Sequence, residues 1–152
     1  MLAVFVLVLP MEPAGKGRAR SSRSGHHYTP GKTRALEKLV QDAADKAWGD
    51  KPPMTGALRL VFVGYCKKTK ASRTKYGKEW PTKKPDLSNI VKLVEDALNS
   101  VVYDDDAQIV QEFIFKEWAD EPSIVVQITQ LGEEDHGAQE NFLIRKPPCD
   151  GL

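Results

Sequence analysis

The chain is poor in cysteine, poor in histidine and without an excess of either charge. Its two cysteines, Cys66 and Cys149, have no second Cys and no His at zinc-ligand spacing. That sets aside a disulfide framework and a structural zinc site, and a reduced, cytoplasmic setting is the simplest expectation. The opening apolar run, MLAVFVLVLP, is too short to span a membrane. It also lacks the positive start and clean cleavage site of a secretory signal, so it reads as a buried first strand. The GKT at Gly31 to Thr33 lacks the glycine that a P-loop needs five residues earlier, because His26 stands there; a nucleotide cofactor is excluded. No nucleophile elbow, Cys/His pair or internal repeat is evident.

What is present is a chain of 152 residues, 41% hydrophobic and 28% charged, enough for one domain with a real core. The net charge of +1 hides a division. Lysine and arginine dominate from Lys16 to Lys84, and aspartate and glutamate dominate from Asp86 to Glu140. A basic front half followed by an acidic back half suggests a polyanion-facing surface and a separate acidic site. Segregated but ordinary surface charge is the plainer alternative.

Ala3 to Leu9 is apolar and β-branched, closed by Pro10 and Pro13, and reads as a central strand. Gly15 to Lys32 is a flexible basic loop. Thr33 to Trp48 is a helix, with Leu36, Leu39, Val40, Ala43, Ala44 and Ala47 at helical spacing. Ala57 to Tyr65 is a strand. Lys67 to Lys84 is a second basic loop with eight Lys or Arg and two aromatics, Tyr76 and Trp80. Those aromatics either stack on unpaired bases or pack on the core, and packing is favoured. Ser88 to Ser100 is the second helix, and strands follow at Gln108 to Lys116 and Ser123 to Thr129. The order β-α-β-α-β-β predicts a two-layer α/β (α+β) domain over residues 1–130, with a mixed sheet and two helices on one face. Residues 131–152 read as a polar, mobile tail.

At 100° per residue, Ile90, Val91, Leu93, Val94, Ala97, Leu98 and Val101 fall on one side of the second helix. Asn89, Lys92, Glu95, Asp96 and Asn99 fall on the other. Asp86 precedes the helix start, where an acid favours the helix dipole and Ser88 can cap. Asp104, Asp105 and Asp106 follow the helix end, and adjacent carboxylates repel unless something positive sits among them. The helix is about 16 Å long. The six residues after it can run back about 20 Å. The chain can therefore return the acidic cluster to the helix start and set carboxylates around one point, which suits Mg²⁺ or Mn²⁺. A magnesium site facing two basic loops is the layout of a phosphodiester-cleaving enzyme. A helix cap plus an acidic turn would produce the same letters, and Lys92 would then be solvated or paired with Asp96 at i+4.

Several segments together resemble the RusA family of Holliday junction resolvases, small homodimeric endonucleases of phages and prophages. The family's KPDxDN segment opening a helix is here KPDLSN, followed by Lys92 and by Asp96-Ala97-Leu98. Its strand-opening D-D-[AS]-Q-[IV] segment is Asp105-Asp106-Ala107-Gln108-Ile109. The PxxKGRxR of Pro13 to Arg20 and the Tyr28-Thr29-Pro30 ahead of the first helix also match, and the resemblance runs from about Val4 to Ile128. It implies a RusA-like fold, a homodimer, a four-way DNA junction as partner, and Mg²⁺ (or Mn²⁺) as cofactor. By it, Asp86 and Asp106 are metal-binding and catalytic, Lys92 is catalytic, and Asp105 and Ser88 complete the metal's surroundings. Lys16, Arg18, Arg20, Arg23, Lys32, Lys67, Lys68, Arg73, Lys83 and Lys84 are the expected DNA contacts, with His26 and His27 nearby. Ser88 departs from the family, where many members carry a second aspartate. Metal affinity falls there unless Asp104, Asp105 or Asp96 compensates. Two alternatives therefore stand beside a junction-resolving nuclease: a junction-binding relative with weakened or lost catalysis, and an α/β interaction domain with no nucleic-acid role.

Overall fold

The structure, a computed structural model, describes residues 2–28 and 30–137, with the side chains of residues 136 and 137 left aside. In chain order it forms β1 (Val4–Leu9), β2 (Arg20–Ser21), β3 (His27–Tyr28), α1 (Gly31–Trp48), β4 (Leu58–Lys67), α2 (Lys70–Tyr76), α3 (Leu87–Leu98), β5 (Ile109–Ala119) and β6 (Ser123–Gln130). Short 3₁₀ turns lie at Asp106–Gln108 and Glu133–Gly137. The four long strands make one mixed sheet in the order β1-β6-β4-β5. β4 and β5 are parallel neighbours joined through α2 and α3, while β6 runs antiparallel to both β4 and β1. No helix among the described residues is long and apolar enough to cross a membrane.

The α+β, mixed-sheet expectation holds, with three corrections. The first strand is at the sheet edge, not its centre. Phe5, Leu7 and Leu9 turn inward, whereas Val4, Val6 and Val8 are more than half exposed. An unbroken apolar run looked buried on both faces, but only alternate residues meet the helices. Second, the basic loop after β4 contains α2, which buries none of its residues. It is held at its start by a reciprocal capping box: Thr69 accepts from the Ser72 N–H, and Ser72 accepts from the Thr69 N–H. With no apolar stripe, it offered no periodicity to detect. Third, Asp86 rather than Ser88 is the N-cap residue of α3, and its carboxylate makes no capping hydrogen bond.

α1 presents Val40, Ala44 and Trp48 to the core at four-residue spacing, and Trp48 meets Phe5 of β1 edge-on with ring centroids 5.8 Å apart. Leu39 and Ala47, expected on the same stripe, are exposed. Gly49 ends α1 with φ of 71°, a left-handed value that favours glycine. α3 buries Ile90, Val91, Leu93, Val94, Ala97 and Leu98, the apolar face expected of it. These meet the inward row of β4, Leu58, Leu60 and Phe62. Of the expected tail, residues 131–137 attach to the domain: the Leu131 N–H donates to the Ala57 carbonyl, and Asp135 pairs with Arg59 at 3.8 Å. Residues 138–152 lie outside the described residues.

Candidate active site

The path after α3 explains how an acidic turn reaches the helix flank. Ser100, at φ of 64°, reverses the chain. Tyr103 then drops fully into the core, and its hydroxyl donates to the Glu95 carbonyl of α3 at 2.9 Å. Gln108 locks the turn. Its Oε1 accepts from the Asp104 and Asp105 N–H groups, and its Nε2 donates to the Met54 and Gly56 carbonyls. Asp105 accepts the Ala107 N–H at 2.8 Å. Asp106 is left facing α3, where Lys92 donates to its carboxylate.

Lys92 also lies 3.1 Å from Asp96, the i+4 partner anticipated for it. Asp96 is gripped from the other side by Lys16, which in turn sits 3.4 Å from Glu37 of α1. The result is an alternating row of charges, Glu37–Lys16–Asp96–Lys92–Asp106, along the polar side of α3. Each charge answers its neighbour. The hydrogen bond from Lys92 holds the Asp106 carboxyl below its ordinary range, while hydrogen bonds to Asp106 and Asp96 push the Lys92 ammonium well above its own. The Asp96 hydrogen bond likewise raises Lys16. Glu95, on the next face of α3, is different: burial and the adjacent Glu112 push its carboxyl up to about 8.

Asp86 stands exposed at the start of α3, with Lys84 2.7 Å from its carboxylate. That hydrogen bond lowers its pKa, and the charges of Lys116 and Arg18 add to the effect. From Asp86 to Lys92 the helix rises about 9 Å. Ser88, also exposed, lies between them in sequence. The structure thus brings Asp106, Lys92, Asp96 and Lys16 together and sets Asp86 and Ser88 one to two turns away along the same helix. Asp105 faces its own turn. Among the described residues no group of three or more His, Cys, Asp or Glu side chains is arranged to hold one metal ion. Asp86, Asp106 and the Ser88 hydroxyl are nonetheless hard oxygen donors of the kind Mg²⁺ takes. That ion commonly binds through one or two carboxylates plus water and phosphate oxygens.

Beside Asp86 opens a cleft of about 790 Å³ lined by Arg18, Arg20, Lys32 and Lys84, with Pro13, Gly15, Gly17 and Pro85 among its walls. The two glycines are required by close approach. A Cβ on Gly15 would lie 2.8 Å from Cβ of Pro85, and one on Gly17 would lie 2.7 Å from Oγ1 of Thr33. The basic residues expected at DNA divide accordingly. Arg18, Arg20, Lys32 and Lys84 face the cleft, and Arg23 lies exposed at the turn of the β2–β3 hairpin. Lys16 belongs to the charge row. Lys67, Lys68 and Lys83 are tied to Glu121, Asp120 and Glu12. Arg73 donates to the Lys78 carbonyl. His27 contacts Ser21 within the hairpin at 3.0 Å, and His26 is exposed beside it. Trp80, expected to pack on the core, is 62% exposed, because the segment after α2 carries it outward. Glu37, Lys116 and the Glu95–Glu112 pair were not anticipated. For Lys116 the letters carried no signal, because apolar residues occupy both faces of β5 and only the register with β4 turns Lys116 inward.

Carboxylates braced by lysines beside a cleft with four cations are chemistry suited to a phosphate-bearing polymer. Residues 10–129 match the family model described as Endodeoxyribonuclease RusA, well over half of the chain. The chain belongs to that family and is an endodeoxyribonuclease, as the motif resemblance implied. It is also 32% identical over 133 residues to a Bacillus subtilis (strain 168) protein called uncharacterized protein YqaN, an alignment covering 79% of this chain and 92% of that one.

Proposed function

We propose that this nuclease resolves four-way DNA junctions by paired, symmetric nicks, using Mg²⁺ or Mn²⁺ and acting as a homodimer inside the cell. The observation that carries the reading is the Lys92–Asp106 contact. It joins the two motif segments on one flank of α3, next to the cationic cleft at Asp86. Asp86 and Asp106 would hold the metal, with Ser88 and Asp105 near it; when bound, the ion activates water and offsets charge on the phosphoryl oxygens. Lys92, kept protonated by its carboxylates, does not act as a base at neutral pH. It supplies a fixed positive charge where negative charge develops on the phosphate. The cleft cations hold the backbone of the strand. A second copy is supported by the exposed sheet face, where Val8, Val125, Val63 and Phe115 fall in one cross-strand row. Two sites related by a two-fold axis would cut opposing strands.

Ser88 supports a second reading, a junction binder with weakened catalysis, because no carboxylate stands at that exposed position of α3. Cleavage and binding of a labelled four-way junction by the native chain and by Ser88→Asp separate the two. Paired nicks by the native chain support resolution. Tight binding without nicks, with cutting restored in Ser88→Asp, supports the second reading. Neither binding nor nicking by either protein would contradict both.

A further inference from the structure

Lys116 occupies an inward position of β5, between Ile114 and Trp118 in parity and paired across the ladder with Gly64. An ammonium there must find acceptors. It finds two main-chain carbonyls, Lys83 at 2.6 Å and Pro85 at 3.2 Å. These flank Lys84, and the second lies one residue before Asp86. Neighbouring groups brace the same loop. Lys83 pairs with Glu12 at 2.6 Å, and Trp118 donates to the Gly77 carbonyl at 2.9 Å. Among the described residues the Asp86 carboxylate itself is tied only to the exposed Lys84, so its direction is set by the path of the main chain into α3. β5 begins directly after the turn that carries Asp106. One strand therefore governs both acids, Asp106 through its leading turn and Asp86 through Lys116.

We propose that Lys116 is a positioning residue that clamps the loop before α3 and so fixes Asp86 relative to Asp106. This rests on the reading of those two carboxylates as the metal holders. The test uses Lys116→Met, and Lys116→Gln, which keeps one amide donor. Mn²⁺ binding to the full chain without DNA is measured by calorimetry, alongside melting temperature and junction binding in EDTA. The native chain should bind Mn²⁺, and Asp86→Asn should weaken that binding. Lys116→Met should weaken Mn²⁺ about tenfold, a free-energy change of about 1.4 kcal/mol. Lys116→Gln should fall between. Melting and EDTA-phase junction binding should stay near native, which a merely structural role would not allow. Unchanged Mn²⁺ affinity in either folded variant overturns the proposal, as does failure of both variants to fold. If the native chain binds no Mn²⁺, or Asp86→Asn does not weaken it, the metal reading fails and this inference falls with it.

Discussion

Replacing Lys92 with methionine keeps the length of the side chain and removes its charge. In the structure that charge meets Asp106 and, at 3.1 Å, Asp96. The lysine side chain is 50% exposed, so solvent screening limits its contribution to stability to about 1 kcal/mol or less. For a chain of this size that is a fall of about 2–4 °C in melting temperature. Catalysis should respond far more. A charge-assisted hydrogen bond to a phosphoryl oxygen is worth about 2–3 kcal/mol. At 1.36 kcal/mol per tenfold, the turnover rate should drop about 30- to 150-fold. Metal affinity should not weaken, because Asp106 loses a competing cation. The assay is single-turnover cleavage of a labelled junction across a Mg²⁺ series, with binding measured in EDTA. Unchanged turnover would reduce Lys92 to a helix-surface ion pair. A loss confined to DNA binding would make it a phosphate anchor and refute its role in the chemical step.

Other consequences follow from the same geometry. Arg18→Gln with Arg20→Gln should lower the slope of log K against log salt for junction binding by about 2, since each phosphate contact contributes about 0.9; an unchanged slope would remove the cleft from the DNA interface. Glu95, with a folded-state pKa of about 8 against an ordinary 4.5, holds a proton that the unfolded chain has released between those values. Stability should therefore fall as pH rises from about 4.5 to 8. For this half-buried group, screening leaves about 1 kcal/mol of that effect. Glu95→Gln should flatten this part of a melting-temperature profile, and a slope kept in the variant would contradict the assignment. Tyr103→Phe loses the hydrogen bond to the Glu95 carbonyl and should cost about 1 kcal/mol in denaturant unfolding; no loss would show that core packing alone holds the return loop.

Much of this was legible in the residues because α3 is strongly amphipathic and its flanking acids stand at fixed offsets. The segment after α3 does double back, but it brings Asp106 to Lys92, one to two turns short of the expected meeting point with Asp86 at the helix start. Less visible were features that pattern does not encode. β1 is apolar at every position, so its letters alone could not show that alternate residues, all three of its valines, face outward. α2 forms from a cap rather than from burial, and leaves no stripe. Lys16 looked like one more cation of a basic loop. It joins the acid row because the Lys16 N–H donates to the Asn89 carbonyl, laying that segment along α3. The clamp at Lys116 depends on strand register, which a single sequence does not print.

The most direct test of the central claim, that Asp86 and Asp106 serve one metal-dependent site, is cleavage of a labelled four-way junction by the native chain, Asp86→Asn and Asp106→Asn. Each protein is assayed with Mg²⁺, with Mn²⁺ and with EDTA. Paired nicks that require metal and vanish in both variants, while junction binding in EDTA persists, are the predicted result. Metal-dependent nicking that survives in either variant would contradict it.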